Sequence, residues 1–142
     1  MNKFPFLLGI LVWGLISCSK NNQGSPIIPV TDNIDTSKAA VKYRGAFTSA
    51  PGETVNGMAL ILIQNGTYTV ALENLDAGNG PDLHLYLSKQ LQPGTFIDLG
   101  KLKSTKGNQV YALSTVPDFT QYKYALIFCQ QYNVLFGSAE LK

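Results

Sequence analysis

A two-residue turn, Asn65-Gly66, divides two runs of alternating apolar and polar residues in the middle of the chain. Met58–Gln64 precedes the turn and Thr67–Asn74 follows it. Both turn residues tolerate a positive φ, and a loop of this length fixes the register of an antiparallel hairpin. The register places Ile61 opposite Val70, so the apolar side chains of both runs share one face of the predicted hairpin.

Six further runs alternate in the same way and are separated by turns rich in Pro, Gly and Asn. They are Tyr43–Ser49, Asp82–Ser88, Phe96–Leu99, Asn108–Leu113, Tyr124–Gln130 and Val134–Leu141. No long stretch of this region spaces its apolar residues as a helix does. The sequence therefore predicts an all-β fold, a single antiparallel β-sandwich of about eight strands. Its expected core includes Ile61, Ile63, Val70, Leu72, Leu83, Leu85, Ile127 and Phe136.

The beginning of the chain is typical of an export signal. Lys3 supplies a positive charge, and Phe4–Ile16 is almost unbroken apolar sequence. It is shorter than the ~20 residues that a helix needs to span a bilayer. The sequence Leu-Ile-Ser-Cys that ends at Cys18 resembles a bacterial lipobox, in which the cysteine thiol accepts a diacylglycerol. We therefore predict that residues 1–17 are a signal peptide and that acylated Cys18 anchors the chain to a lipid bilayer.

The residues after Cys18 lack a sustained period and are rich in Asn, Ser, Thr, Asp and Pro. This composition predicts a flexible linker over residues 18–41 and a folded domain over residues 42–142. The sequence does not indicate whether the apolar pair Ile27-Ile28 docks on that domain. Ser19, rather than an aspartate, follows the cysteine, so retention in the inner membrane is not signalled. We expect a lipid-anchored protein of the cell envelope, on the outer membrane and facing the periplasm.

Charge and motifs exclude several classes of function. The chain has 11 basic and 9 acidic residues and a net charge of +2, too little for a basic surface that would bind nucleic acid. The sequence contains no CxxC, HExxH or CxxCH motif, and no nucleophile elbow surrounds any serine. We therefore expect no nucleic-acid partner and predict no metal site.

Cys129 has no cysteine left to pair with if Cys18 carries lipid. It ends the apolar run Ala125–Cys129 and directly precedes the polar pair Gln130-Gln131. Two interpretations remain open at this point. Cys129 is a small buried hydrophobe, as free cysteines usually are, or it is a thiol at the mouth of the sandwich that serves redox chemistry or a metal.

His84 is the only histidine. It alternates with leucines, so it shares the polar face of its strand with Asp82, Tyr86 and Ser88. A carboxylate two residues away is placed to orient or charge the imidazole. The alternative is an ordinary surface histidine, and the sequence does not decide whether His84 approaches Cys129.

Three separated blocks together resemble the DM-thirteen domain. The blocks are Gly80–Ser88, Asp98–Tyr111, and Ile127–Cys129 with Val134–Leu141. The resemblance covers about Lys42–Lys142 and implies a small β-sandwich module for electron transfer. It also implies that Cys129 is a redox thiol, either bare or helping to hold a prosthetic group such as haem, for which His84 is the remaining candidate ligand. The chain departs from the family pattern at Phe128, where many members have tryptophan.

Two functions follow from these observations. The first is a membrane-anchored redox or electron-transfer module that acts through Cys129 and works with a redox partner in the envelope. The alternative is a non-catalytic adhesion or ligand-binding domain in which Cys129 is a buried structural residue. In both cases an electron-transfer or binding module is favoured over an enzyme with its own substrate.

Overall fold

The computed structural model describes residues 24–142, and in that part of the chain it contains nine strands and no helix. The strands are β1 Val30–Thr31, β2 Ala40–Ser49, β3 Val55–Gln64, β4 Thr67–Ala77, β5 Leu83–Ser88, β6 Phe96–Lys101, β7 Lys106–Ala112, β8 Tyr124–Cys129 and β9 Val134–Glu140. Among residues 24–142 there is therefore no helix that could span a membrane.

The nine strands form one continuous curled sheet in the order β1-β7-β4-β3-β2-β9-β8-β5-β6. The long strand β2 connects the two halves, because it pairs with β3 through Ala40–Ala46 and with β9 through Phe47–Ser49. Gly45 lies where β2 passes the end of β9, and a Cβ atom at this position would overlap the carbonyl oxygen of Glu140. Glycine therefore permits the close approach that joins the halves.

The all-β prediction is confirmed, whereas three finer expectations need correction. The structure has nine strands rather than eight, and they belong to one curled sheet rather than to two separate stacked sheets. The sheet is also mixed, since β1 runs parallel to β7 while the other pairs are antiparallel. The extra strand escaped prediction because its two residues, Val30 and Thr31, are too few to show alternation.

The central hairpin forms as predicted. Asn65 and Gly66 both adopt positive φ angles, 49° and 79°. The register pairs Gln64 with Thr67 and Ile61 with Val70. Local turn chemistry and alternation are thus sufficient to specify this part of the sheet.

The curled sheet encloses one main core on its concave face. Seven of the eight predicted core residues are buried there, namely Ile61, Val70, Leu72, Leu83, Leu85, Ile127 and Phe136. Ile63 is only half-buried because it lies beside the exposed hairpin turn. A smaller apolar cluster of Tyr86, Leu126 and Phe128 lies on the opposite face of β5 and β8.

Residues 24–32, which we call the N-terminal arm, lie against the domain rather than in a free linker. Their strand β1 pairs with β7, where Val30 lies opposite Gly107. The Asp32 carboxylate accepts a hydrogen bond from the Val110 amide at 2.9 Å and forms an ion pair with Lys103. The flexible linker predicted over 18–41 therefore does not extend through the arm. Cys18 and the predicted signal peptide lie outside the described residues.

Candidate functional site

The pairing of β5 with β8 determines how the two candidate residues are related. Leu83 lies opposite Cys129, and His84 lies opposite Phe128. Because successive side chains of a strand point to opposite faces, Cys129 shares the concave face with Leu83. His84 points to the other face, beside the cluster of Tyr86 and Phe128. The structure thus brings the two residues to neighbouring strands but does not unite them in one site.

Cys129 is a free thiol whose relative exposure is 0%. Its neighbours in the main core are apolar, including Leu83 directly across the strand pair and Ile127 on its own strand. Cys129 is also the last residue of β8, and the four residues that follow it are exposed. The sulfur is therefore shielded from solutes in the closed fold, only one residue from an exposed turn.

His84 lies between two carboxylates on the opposite face. Its Nδ1 is 3.0 Å from Asp98 Oδ1 and 3.1 Å from Oδ2, and since an ionised carboxylate only accepts, Nδ1 carries the donated proton. Its Nε2 is 3.4 Å from Asp82 Oδ1. Nε2 is buried and makes no hydrogen bond to any residue between 24 and 142. The His84 imidazole is therefore mostly buried and is fixed in place by Asp98, so it is not an ordinary surface histidine.

A bulge in β6 brings the partners of His84 together. His84 pairs with Lys101 and Tyr86 with Asp98, so β6 contains one residue more than β5 over this interval. Gly100 absorbs the extra length with a φ of 104°, and its amide donates to Asp98 Oδ1 at 2.8 Å. The Lys101 ammonium lies 2.8 Å from Asp82 Oδ1 and lowers the pKa of that carboxyl.

Gln130 joins this carboxylate cluster to the aromatic residues beside it. Its Nε2 donates to Asp98 Oδ2 at 2.8 Å and to the Tyr86 hydroxyl at 2.7 Å. Burial raises the pKa of Tyr86, an effect that the Gln130 hydrogen bond partly offsets. Asp98 thus accepts from a backbone amide, an imidazole and a side-chain amide, and it holds the cluster together.

An aromatic pocket adjoins the cluster. The Tyr86 ring stacks on Phe96 at 4.2 Å between centroids and on Phe128 at 5.4 Å. A pocket of about 300 Å³ lies over these rings, with Gln130 and Asn133 at its polar edge. Its aromatic floor and polar edge suit a small, partly apolar ligand.

The residues present do not fit a haem. Cys129 and His84 lie on opposite faces of the sheet and cannot ligate one iron together. Cys129 is enclosed by apolar side chains, and both ring nitrogens of His84 face carboxylate oxygens. In the part of the chain that the structure describes, no three His, Cys, Asp or Glu side chains are grouped so as to hold a metal.

Sequence reasoning found part of this site. It placed Asp82, His84 and Tyr86 on one strand face. The structure has His84 and Tyr86 in β5 and Asp82 in the turn just before it, with Asp82 Oδ1 3.4 Å from His84 Nε2. It missed Asp98 and Gln130 as partners, because their contacts depend on strand order and on the bulge at Gly100. The Asp-Leu-Gly sequence at residues 98–100 is a local signal of such a bend, but the sequence does not say which strand the bend would face.

The fold and the site together define a small all-β domain with a shielded thiol on one face and a histidine–carboxylate cluster on the other. The sequence profile of the family described as "Electron transfer DM13" matches residues 46–141. The chain therefore belongs to the DM13 family. No curated protein and no solved structure matches the chain.

Proposed function

We propose that this chain is a lipoprotein of the bacterial cell envelope whose DM13 domain acts in electron transfer through the thiol of Cys129. The observation that carries the proposal is the family match, which covers Cys129 and its neighbours. Cys129 is the only free thiol among residues 24–142. The lipobox-like sequence at Cys18 supports anchoring by acylation.

Access to the thiol would come from local opening at the end of β8. Cys129 is paired there with Leu83, the first residue of β5, and with Val134, the first residue of β9. Val134 is 36% exposed, and the Gln130–Asn133 turn adjoins it. Opening of this strand end would uncover the sulfur without unfolding the core, because strand ends open at lower free energy than core segments.

The redox step would use a peroxide as oxidant and thiols of an envelope partner as reductant. The Cys129 thiol loses its proton, and the thiolate attacks the peroxide. An S–O bond forms as the O–O bond breaks, the sulfur loses two electrons to give a sulfenic acid, and the hydroxide that leaves takes up a proton to become water. A partner thiol then displaces water to form a mixed disulfide. A second partner thiol releases Cys129 as a thiol and leaves the partner as a disulfide.

This proposal is tested by treating native protein with dilute peroxide and a sulfenic-acid trap. Mass spectrometry of the peptide that contains Cys129 should show the trapped adduct while the domain remains folded. A Cys129→Ser variant should show no adduct at this peptide. Native protein that forms no adduct, although the unfolded protein does, would argue against a redox role.

Anchoring is tested separately through Cys18. A Cys18→Ala variant should lose metabolic labelling by palmitate and leave the membrane fraction. Labelled parent protein should fractionate with the outer membrane and face the periplasm. If the variant stayed in the membrane fraction, acylation at Cys18 would not be the anchor.

A second candidate is a ligand-binding or adhesion domain in which Cys129 is structural. The complete burial of Cys129 and the aromatic pocket beside Gln130 favour it. In this case Phe96→Ala, which removes one wall of the pocket, would abolish ligand binding, and Cys129→Ala would leave binding unchanged.

A further inference from the structure

The N-terminal arm is fixed to the domain as early as Ser25. The Ser25 amide donates to the Gly80 carbonyl at 2.7 Å, and the Ser25 hydroxyl accepts from the Leu83 amide at 3.2 Å. The Thr105 amide donates to the Pro26 carbonyl at 2.7 Å. These contacts join the arm to two separate segments, so Ser25 moves with the folded domain.

Two large apolar side chains follow this fixed point and face away from the domain. Ile27 is 61% exposed and Ile28 is 79% exposed. They border a shallow groove of about 360 Å³ that also contacts Gly24 and Asn79. The backbone beside them is hydrogen-bonded to the domain, yet both side chains remain largely exposed to solvent.

The same end of the domain carries a further exposed aromatic residue. The Gln130 amide donates to the Asp82 carbonyl, which places the Gln130–Asn133 turn next to the Gly80–Leu83 segment that binds Ser25. Tyr132 in that turn is 65% exposed. Tyrosine side chains are enriched at the level of lipid headgroups, where an apolar ring and a polar hydroxyl are both accommodated.

The distance to the proposed anchor limits what this end can face. Seven residue steps separate Cys18 from Ser25. A fully extended chain covers at most ~3.6 Å per residue, so Ser25 lies within roughly 25 Å of an acylated Cys18. With Cys18 acylated, the end of the domain that carries Ile27 and Ile28 is thus the end tethered closest to the bilayer.

We propose that Ile27 and Ile28 form a membrane-contacting surface that inserts into the headgroup region of the bilayer in which Cys18 is anchored. The inference rests on the proposed acylation of Cys18. The lipid chains hold the domain at the membrane, while the two isoleucines determine which end faces it. One consequence is that the strand end at Cys129 lies on the membrane side of the domain.

Tryptophan substitutions test this surface in the processed, acylated protein. The only tryptophan of the chain, Trp13, lies in the predicted signal peptide, so the processed protein has no tryptophan fluorescence of its own. Ile28→Trp is the test variant. Val116→Trp is the matched control, because Val116 is 51% exposed and lies beyond Ala112, at the end of β7 away from the arm. Both proteins are reconstituted into vesicles of phosphatidylethanolamine and phosphatidylglycerol with brominated acyl chains.

The emission of Ile28→Trp should shift to shorter wavelength and be quenched severalfold more strongly than that of Val116→Trp. Equal and weak quenching of both variants in protein that carries lipid would overturn the inference and leave the anchoring intact. A short-wavelength emission without bromine quenching would mean that protein covers the isoleucines, and it would overturn the inference as well. If mass spectrometry showed that Cys18 is not acylated, the proposed anchoring would fail, and this inference with it.

Discussion

His84 and Cys129 lie on neighbouring strands of the sheet, yet their side chains lie on opposite faces. The pairing of Leu83 with Cys129 and of His84 with Phe128 produces this arrangement. The thiol therefore depends on the apolar core for its environment, and the imidazole depends on Asp82 and Asp98. Chemistry at one residue cannot use the other directly, so the two are best tested by separate substitutions.

Replacing Cys129 by serine should destabilise the domain. The hydroxyl would be buried at a position with 0% exposure and apolar neighbours, which costs ~1–3 kcal/mol. Urea unfolding followed by circular dichroism measures the cost. Cys129→Ala is the control, because it removes the sulfur without adding a polar group, and the serine variant should be the less stable of the two. Equal stability of the serine variant and the parent would mean that the site is hydrated.

Removing the Asp98 carboxylate should also destabilise the domain. Asp98→Ala leaves the His84 Nδ1, the Gln130 side-chain amide and the Gly100 amide without their acceptor. The loss should be about 1–3 kcal/mol in the free energy of unfolding. Asp76→Ala is the matched control, because Asp76 is exposed and pairs only with Lys106, and it should cost less than about 1 kcal/mol. Similar losses in both variants would contradict the central role of Asp98.

The N-terminal arm should detach at acidic pH. The hydrogen bonds that the Asp32 carboxylate accepts from the Lys103 ammonium and from the Val110 amide hold its pKa below the usual value of 3.8. Because the pKa of Asp32 is lower in the docked arm than in the free arm, ionised Asp32 stabilises docking at any pH above the pKa of the free arm. This stabilisation is lost as the pH falls through the pKa of Asp32 in the docked arm. NMR shifts of the Val110 amide should report the release during an acid titration.

The Asp32→Ala variant should show the released arm already at neutral pH. Asp35→Ala is the control, since the side chain of Asp35 contacts Ser37 and Lys38 but not β7. An arm that stays docked in Asp32→Ala would show that the backbone contacts alone hold it.

Tyr111 should make the domain sensitive to alkali. Burial raises the pKa of its phenol from 10.0 to about 12. The unfolded state therefore loses this proton first, and stability should fall between these two pH values by up to about 1.4 kcal/mol per pH unit. Tyr111→Phe should remove this part of the decline in alkaline urea titrations. At neutral pH, Tyr111→Phe should lower the free energy of unfolding by about 1 kcal/mol, because it removes the hydrogen bond that the hydroxyl donates to Gln109 at 2.7 Å. An unchanged alkaline profile in Tyr111→Phe would contradict this assignment.

The hairpin at Asn65-Gly66 could be predicted from sequence because turn chemistry and alternation are local. The same holds for the closeness of Asp82 to His84, which are two residues apart in the chain. The N-terminal arm could not be predicted, since its pairing depends on Asp32 reaching Val110, far away in the chain. Short strands in Pro- and Asn-rich segments give no periodic signal of their own.

The arrangement of the candidate site depends on strand order, which no local pattern reveals. The order places β5 between β8 and β6, so that His84 meets Asp98 on one side and Phe128 on the other. The bulge at Gly100 then decides which residues of β6 face the imidazole. The sequence alone could predict which types of residue belong to the site. Their contacts could not be predicted, because they depend on the register of the strands.

The proposed redox function requires that Cys129 becomes reactive through local opening of a strand end. Its labelling rate with a thiol reagent should be measured against urea concentration, with mass spectrometry of the peptide that contains the residue. Ile127→Cys in a Cys129→Ala background is the matched control, because Ile127 is on the same face of β8, equally buried and two residues further from the end. A thiol exposed only by global unfolding shows the full urea dependence of unfolding, whereas one exposed by local opening shows much less.

We predict that Cys129 is labelled faster than global unfolding allows and with a weak dependence on urea, while the thiol at position 127 follows the unfolding transition. Labelling of both thiols with the full slope of global unfolding would contradict it, because Cys129 would then be a structural residue of the core.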